Sequence, residues 1–362
     1  MRIGVIKGGA NITFSSNNGS AGNADILYAL RVLDPSRNEV TIITHRTRNT
    51  KMYPVLKFKE LHDKDLNLDD YDAILLFNYS INFFGGAESP SLNSLYRALH
   101  NSSVPIFYVQ TDGQLPLKEF WPMIRDREWA KGYTEDEFSF NGDRVVVLQQ
   151  GRDLSKCATE IRRVKNTIIP RAQKHYPWER TILHNRHKFF PRVEDDVISR
   201  PYSLIYGGAT RNAKRKRRIQ ELYFGHEFMS LLFGNLRLDM SSCTVARMNK
   251  VSYQEFVKIM KKGIATVIIG DVHYENNYFT LRMYESLLAG CIVMIDDRMD
   301  VKHNFYDREF SELYVKNRSD IESVFNTANL QATRDDAYEW ITSTYNEEIA
   351  TEHLNGLIER LL

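Results

Sequence analysis

The clearest pattern lies in residues 266–297, TVIIGDVHYENNYFTLRMYESLLAGCIVMIDD. An apolar run (266–269) gives way to a polar loop, then to helical spacing over 280–289, then to a second apolar run (292–295). Short continuous apolar runs fit strands buried on both faces, and the 3.6-residue spacing between them predicts a crossover helix that Gly290 ends, so the stretch reads as a βαβ unit. Similar runs recur at 3–7, 40–44, 74–77, 106–109, 145–148 and 167–169, and again at 203–206, 228–233 and 312–315. Helical spacing falls between several of them, from Asp25 through Leu33, at 91–100, at 154–165 and at 213–224. The fold class is therefore α/β. The first half reads as an open doubly wound sheet, and a polar turn around 194–200 introduces a second set of alternating elements with no detectable sequence repeat of the first. Residues 335–362 have the spacing of one or two closing helices. The expected division is a Rossmann-like domain over 1–190, a second over 200–340, and a final helix over 341–362 that packs back on the first.

Length and composition narrow the class without naming a function. A chain of 362 residues favours two domains over one very large core. Hydrophobic content of 43% and charged content of 26% are those of a globular protein in water. The net charge of +2 gives no overall pull on nucleic acid, so any such binding has to come from local clusters. One cluster is present: residues 152–192 hold eleven Lys or Arg against three Asp or Glu. It could follow a phosphodiester backbone, or be the solvated side of a helix and linker. Cys157, Cys243 and Cys291 are too far apart for metal-ligand spacing, and a reducing cytoplasm is the simpler inference. No apolar run is long enough to cross a bilayer, and the first residues enter a strand directly rather than a signal peptide, so no membrane partner is expected.

The chemistry-bearing residues cluster after predicted strands. Arg282 and Glu285, three apart near the start of the 280–289 helix, project from one face. The helix N-terminus and a guanidinium fork suit a phosphate, while a carboxylate one turn deeper suits the paired hydroxyls of a ribose. The bland alternative is a surface i,i+3 ion pair. Gly207 and Gly208 read as a turn after the 203–206 strand, followed by Arg211 and Arg215, which can face the same mouth as Arg282 and share a diphosphate. Lys214, Lys216, Arg217 and Arg218 read as facing solvent or nucleic acid. In the first half, Asn82, Phe83 and Phe84 lie in a loop beyond a strand, where aromatics suit base stacking or simply cover the core. Asp112 follows the 106–109 strand, placed for a general base or for an Asx-turn.

Together these segments closely resemble the bacteriophage DNA β-glucosyltransferases. The resemblance is carried by SINFFGG (80–86), TDGQLP (111–116), REWA (127–130), IYGGATR (205–211), FGN (233–235), IIGD (268–271), NYFTLRMYES (277–286) and DVKH (300–303). It implies a GT-B fold, two Rossmann-like domains facing a central cleft, and transfer of a sugar from a UDP-sugar to 5-hydroxymethylcytosine in double-stranded DNA within the cytoplasm of an infected bacterium. It also implies a monomer that flips the target base out of the duplex. Carried over by position, the catalytic base falls on Asp112. UDP contacts fall on Gly208, Arg211, Arg215, Arg282 and Glu285, with uracil held near Lys250 and Val251. Sugar carboxylates fall on Asp25 and Glu179, and DNA contacts on Asn82, Phe84, Gly113 and Arg127. A divalent ion, Mg2+ or Mn2+, is implied, with its ligands unassigned. The chain departs from the pattern at Asp25, where a glutamate is expected after a shorter loop, and at Ala209, where a serine is expected. These changes leave open whether the donor is UDP-glucose or another UDP-sugar such as UDP-arabinose.

Overall fold

The structure is a computed structural model that describes residues 1–7, 32–44, 54–77, 98–99, 101–110, 145–149, 174–177, 193–210, 212–239, 241–270, 281–300, 303, 305–306, 309–327, 329–344 and 347–362. The chain divides into two compact units, Met1–Asn185 with Glu347–Leu362, and Arg186–Asn346. The first boundary thus precedes the expected linker, and the second lies six residues beyond position 340, so the Arg186–Asn346 unit keeps the whole of the first closing helix.

The first unit is built on a seven-stranded, all-parallel sheet. Its strands are β1 (Arg2–Lys7), β2 (Glu39–Thr44), β3 (Lys57–Glu60), β4 (Ala73–Phe77), β5 (Ile106–Gln110), β6 (Val145–Gln149) and β7 (Lys174–Pro177), in the order β3-β2-β1-β4-β5-β6-β7. Ile3, Val5, Ile42, Ile74 and Leu75 are fully buried, as strands covered on both faces require. The last helix of the chain, Glu347–Leu361, belongs to this unit: Asn355 donates to the Val32 carbonyl at 2.9 Å and accepts from Asn38 at 3.2 Å.

The second unit repeats the topology with six strands. These are β8 (Tyr202–Ala209), β9 (Ser230–Asn235), β10 (Val245–Met248), β11 (Gly263–Ile268), β12 (Ile292–Asp296) and β13 (Tyr314–Val315), ordered β10-β9-β8-β11-β12-β13 and again parallel. Helix α1 (Ala213–Tyr223) follows β8, α2 (Tyr253–Met260) follows β10, α3 (Leu281–Leu288) joins β11 to β12, and α4 (Arg318–Thr327) and α5 (Leu330–Thr344) close the unit. The βαβ stretch that dominates the sequence pattern is β11-α3-β12. Its helix stops where expected: Gly290 takes φ +72°, its N–H bonds the Leu287 carbonyl at 2.8 Å, and the Cys291 N–H reaches back to Ser286 at 3.0 Å. That pairing is a Schellman cap, which needs a residue tolerant of positive φ.

The sheet order reverses between β8 and β11, and there the strands part. Their ladder pairs run only from Gly263–Tyr202 to Ala265–Leu204. Beyond that point the Tyr223 hydroxyl, reaching in from α1, accepts the Val267 N–H at 2.7 Å and donates toward the Val267 carbonyl at 2.9 Å. A side chain thus satisfies backbone groups that a full-length ladder would have paired, and the carboxyl ends of β8 and β11 are free to diverge. Burial pushes the Tyr223 phenol far above its ordinary range, so the hydroxyl keeps the proton it donates.

Three expectations need correction. Gly207 and Gly208 are not a turn but the interior of β8, paired with Phe233 and Gly234 of β9. Residues 194–200 are not a plain polar turn: Val197–Ser199 is a 3-10 helix, and Arg200 is buried, donating to Asp195 and to the carbonyls of Gly263 and Gly290. The strand expected at 228–233 begins at Ser230. The expected strand at 167–169 and the helix at 154–165 lie outside the described residues, as does nearly all of those at 91–100 and from Asp25, whose last expected residues, Val32 and Leu33, lie in a turn and bend.

Candidate nucleotide-binding site

In an open parallel sheet the ligand crevice lies beyond the carboxyl ends of the strands at the point where the order reverses. In the second unit that point is bounded by the end of β8 at Ala209 and the end of β11 at Ile268, with the end of β9 at Asn235 beside them. Helix α1 starts immediately after β8. Asn212 caps it, its side chain accepting the Arg215 N–H at 2.9 Å, an arrangement that satisfies one of the donors orphaned at a helix start.

Arg215 extends from this first turn and donates from Nε to the Tyr206 hydroxyl at 3.2 Å. Arg282 and Glu285 occupy the first turn and a half of α3, with Nη1 to Oε2 at 3.5 Å. The i,i+3 ion pair, one of the two roles expected of these residues, is therefore present. Exposure separates the two roles: the Arg282 side chain is 35% accessible, whereas that of Glu285 is 5% accessible. A surface ion pair would leave both groups in water. Here the carboxylate is buried, whereas the arginine side chain is part-open. The Arg282 guanidinium also lies over the Phe256 ring of α2, 3.9 Å from its centroid, within the range where the ring's negative face attracts a cation.

Gly208 stands inside β8 at the same edge, half-buried, next to Ala209. Lys250 and Val251 connect β10 to the cap of α2, at the carboxyl side of the sheet; Lys250 is exposed and Val251 half-buried. Of the cations after Asn212, Lys216 is paired with Asp239. Arg218 departs from the expected solvent-facing role: it is buried and grips Asp296 at the end of β12. Arg211, Asp25, Glu179, Asn82, Phe84, Asp112, Gly113 and Arg127 lie outside the described residues. β5 ends at Gln110, shortly before Asp112. Tyr206 and Phe256, which contact Arg215 and Arg282, are not marked by the sequence patterns above.

Among the described residues no three His, Cys, Asp or Glu side chains gather closely enough to hold a metal ion. Among them, too, no helix is long and apolar enough to cross a membrane.

Two doubly wound parallel-sheet units in one chain, one bearing an Arg-rich strand-to-helix edge at its switch point, define the GT-B class of fold. The chain is similar to the bacteriophage T4 β-glucosyltransferases. The family model described as Bacteriophage T4 beta-glucosyltransferase matches residues 1–180. The DNA beta-glucosyltransferase of Enterobacteria phage T4 is 27% identical over 332 residues, covering 89% of this chain and 87% of that protein. Among solved structures, T4 phage BGT in complex with its UDP-glucose substrate superposes with a TM-score of 0.69 at 21% identity, and T4 phage BGT with UDP and Mn2+ with a TM-score of 0.66 at 23% identity. Each covers 100% of this chain and 99% of its own. An alpha-glucosyltransferase in complex with UDP and a 13-mer DNA containing a HMU base shares the fold at a TM-score of 0.57 and 12% identity, over 99% of both chains.

Proposed function

We propose that this protein is an inverting glycosyltransferase that moves a sugar, glucose first among candidates, from a UDP-sugar to the hydroxymethyl group of 5-hydroxymethylcytosine in double-stranded DNA. The observation that carries the reading is the half-open Arg282 beside a buried Glu285 at the switch point, in a chain collinear with a phage DNA β-glucosyltransferase. Arg215 and Arg282, joined by Arg211, hold the diphosphate. Glu285 takes the ribose hydroxyls, Gly208 lets the phosphates approach the backbone, and the backbone at Lys250 and Val251 reads uracil. Asp25 and Glu179 bind the sugar. Asn82, Phe84, Gly113 and Arg127 contact DNA and support a flipped base, which the acceptor hydroxyl requires because it lies within the duplex.

In the reaction, Asp112 takes the hydroxymethyl proton as that oxygen bonds to the anomeric carbon. The bond from that carbon to the β-phosphate oxygen breaks on the opposite face, and UDP departs. General-base assistance is worth roughly 10²- to 10⁴-fold. The guanidinium groups stabilise the charge that develops on the leaving phosphate, often the larger effect. A divalent ion would add to that stabilisation; among the described residues no cluster of side chains would hold one. The protein acts as a monomer in the cytoplasm of the infected cell.

The donor is the point at which a second reading has support. Asp25 is one methylene shorter than the glutamate of the family pattern, and Ala209, half-buried at the end of β8, lacks the serine hydroxyl. A smaller sugar such as arabinose is the alternative. Incubating hydroxymethylated DNA with UDP-glucose or UDP-arabinose and weighing the released nucleosides separates the two, because a hexose and a pentose add different masses. The Asp112→Asn variant should bind UDP-sugar and transfer nothing; turnover near that of the wild type removes Asp112 from the mechanism. DNA binding without any UDP affinity would point instead to a non-catalytic reader of modified DNA.

A further inference from the structure

The paired glycines of β8 have a use that their sequence does not suggest. A Cβ on Gly207 would lie 2.6 Å from the Phe233 ring and 2.8 Å from Cε2 of Phe256. A Cβ on Gly208 would lie 2.8 Å from the Tyr206 hydroxyl. The glycines therefore leave room for aromatic groups, Phe233 and Phe256 at Gly207 and Tyr206 at Gly208, and Phe256 and Tyr206 each hold one arginine. The Phe256 ring, seated on Gly207 and Phe233, carries the Arg282 guanidinium 3.9 Å above it. The Tyr206 hydroxyl, seated over Gly208, accepts from Arg215 Nε at 3.2 Å. Successive strand residues face opposite sides of a sheet, so the two arrangements lie on opposite faces of β8 at its carboxyl end.

The supports are themselves fixed. Tyr206 is 4% exposed and packs edge-on against Tyr223 at 5.4 Å, the residue that parts β8 from β11. Phe256 is 5% exposed and lies one turn into α2, whose start is set by a capping box between Ser252 and Glu255. Arginine has four rotatable side-chain bonds, and an arginine without a support loses that freedom when a ligand binds. We propose that Tyr206 and Phe256 are positioning residues which hold Arg215 and Arg282 in place for the donor diphosphate before it arrives. This rests on the reading of both arginines as diphosphate ligands. It adds that β8 presents them from its two faces through one hydroxyl and one ring.

The test measures UDP and uridine affinity for the full chain and for Tyr206→Phe, Phe256→Leu, Arg215→Ala, Arg282→Ala and the doubles Tyr206→Phe/Arg215→Ala and Phe256→Leu/Arg282→Ala. Tyr206→Phe and Phe256→Leu should each weaken UDP roughly three- to tenfold and leave uridine unchanged. Each double should bind UDP no worse than its Arg→Ala single, because the support has nothing left to hold. A general packing role would weaken UDP and uridine alike and would add to the arginine losses, and either result overturns the proposal. So does UDP affinity equal to wild type in both support variants while the arginine variants lose it. If the arginine variants themselves bind UDP as the wild type does, the diphosphate reading fails and the positioning proposal falls with it. Tyr206→Phe removes a single oxygen, so it keeps the question answerable if Phe256→Leu does not fold.

Discussion

Arg218 holds Asp296 through two parallel bonds, Nε to Oδ2 at 2.9 Å and Nη2 to Oδ1 at 3.0 Å, both side chains almost wholly buried. The pair ties the middle of α1 to the end of β12, and Arg218 also donates to the Lys316 carbonyl at 2.7 Å beyond β13. Arg298 adds a second cation to the same carboxylate at 2.9 Å. Burial alone would raise the Asp296 carboxyl, but bonds and charge from Arg218 and Arg298 outweigh it and hold it below its ordinary value of 3.8.

The direction of that shift sets an acid response. A depressed carboxyl contributes stability above its unfolded pKa and loses it as the pH falls through the lower folded value. The contribution of Asp296 is therefore complete at pH 5 and above and drains below about pH 4, given the ordinary value of 3.8. Asp296→Asn should cost about 3 kcal/mol at pH 7, since it strands two arginines beside a neutral group, and should flatten the fall of Tm with pH below 4. Melting curves from pH 7 to pH 3 on both proteins check this; parallel curves would show that the pair carries no such linkage.

Tyr223→Phe should destabilise the second unit by roughly 1–3 kcal/mol, because the Val267 N–H and C=O would lose their partner inside the sheet. A denaturant titration resolves a change of that size. Slowed closure of β8 on β11 is not the expectation; the amide of Val267 should instead exchange faster with deuterium than its neighbours.

Gly234→Ala tests the backbone requirement of the FGN segment. Gly234 has φ +126°, and a Cβ there would overlap the Gly208 carbonyl oxygen. The substitution should cost several kcal/mol through strain and overlap together, giving weak soluble expression or a Tm drop of order 5 °C or more. A protein that melts as the wild type would contradict the glycine's conformation.

Asn355→Ala removes a buried amide that bonds Val32 and Asn38 from the last helix. Its loss leaves the Val32 carbonyl and the Asn38 amide short of partners, at roughly 1–3 kcal/mol. Hydrogen exchange over residues 347–361 should rise well before that of β8 to β12.

Much of this architecture can be read from periodicity, and the parts that cannot share a cause. The apolar runs of β8, β9, β11 and β12 announce themselves because they are buried on both faces. Lys57–Glu60 and Val245–Met248 are edge strands with half-open or exposed positions, KFKE and VARM, and no apolar run marks them. Helix α2 carries apolar residues at 253, 256, 257 and 260, and Ser252-x-x-Glu255 is a helix-start signature; together they are the signal that locates Phe256. Arg282 and Glu285 are legible from spacing on one helix. Tyr206 and Phe256 are not, since their use depends on which residues a strand's two faces bring together. Arg218 misleads because a run of five basic residues looks solvated until one of them meets a carboxylate 78 positions away.

The return of Glu347–Leu361 to the first unit has a consequence for synthesis. The ribosome makes the opening half of this protein first, yet that half receives its closing piece only after the entire second unit has been translated. Residues 1–185 lack that helix until the end of translation, while Arg186–Asn346 has all of its own chain before then. A premature stop a few codons before Glu347 would therefore injure the part of the molecule most distant from it in the message, and a helper chaperone would find its work at the beginning of the chain rather than at its end.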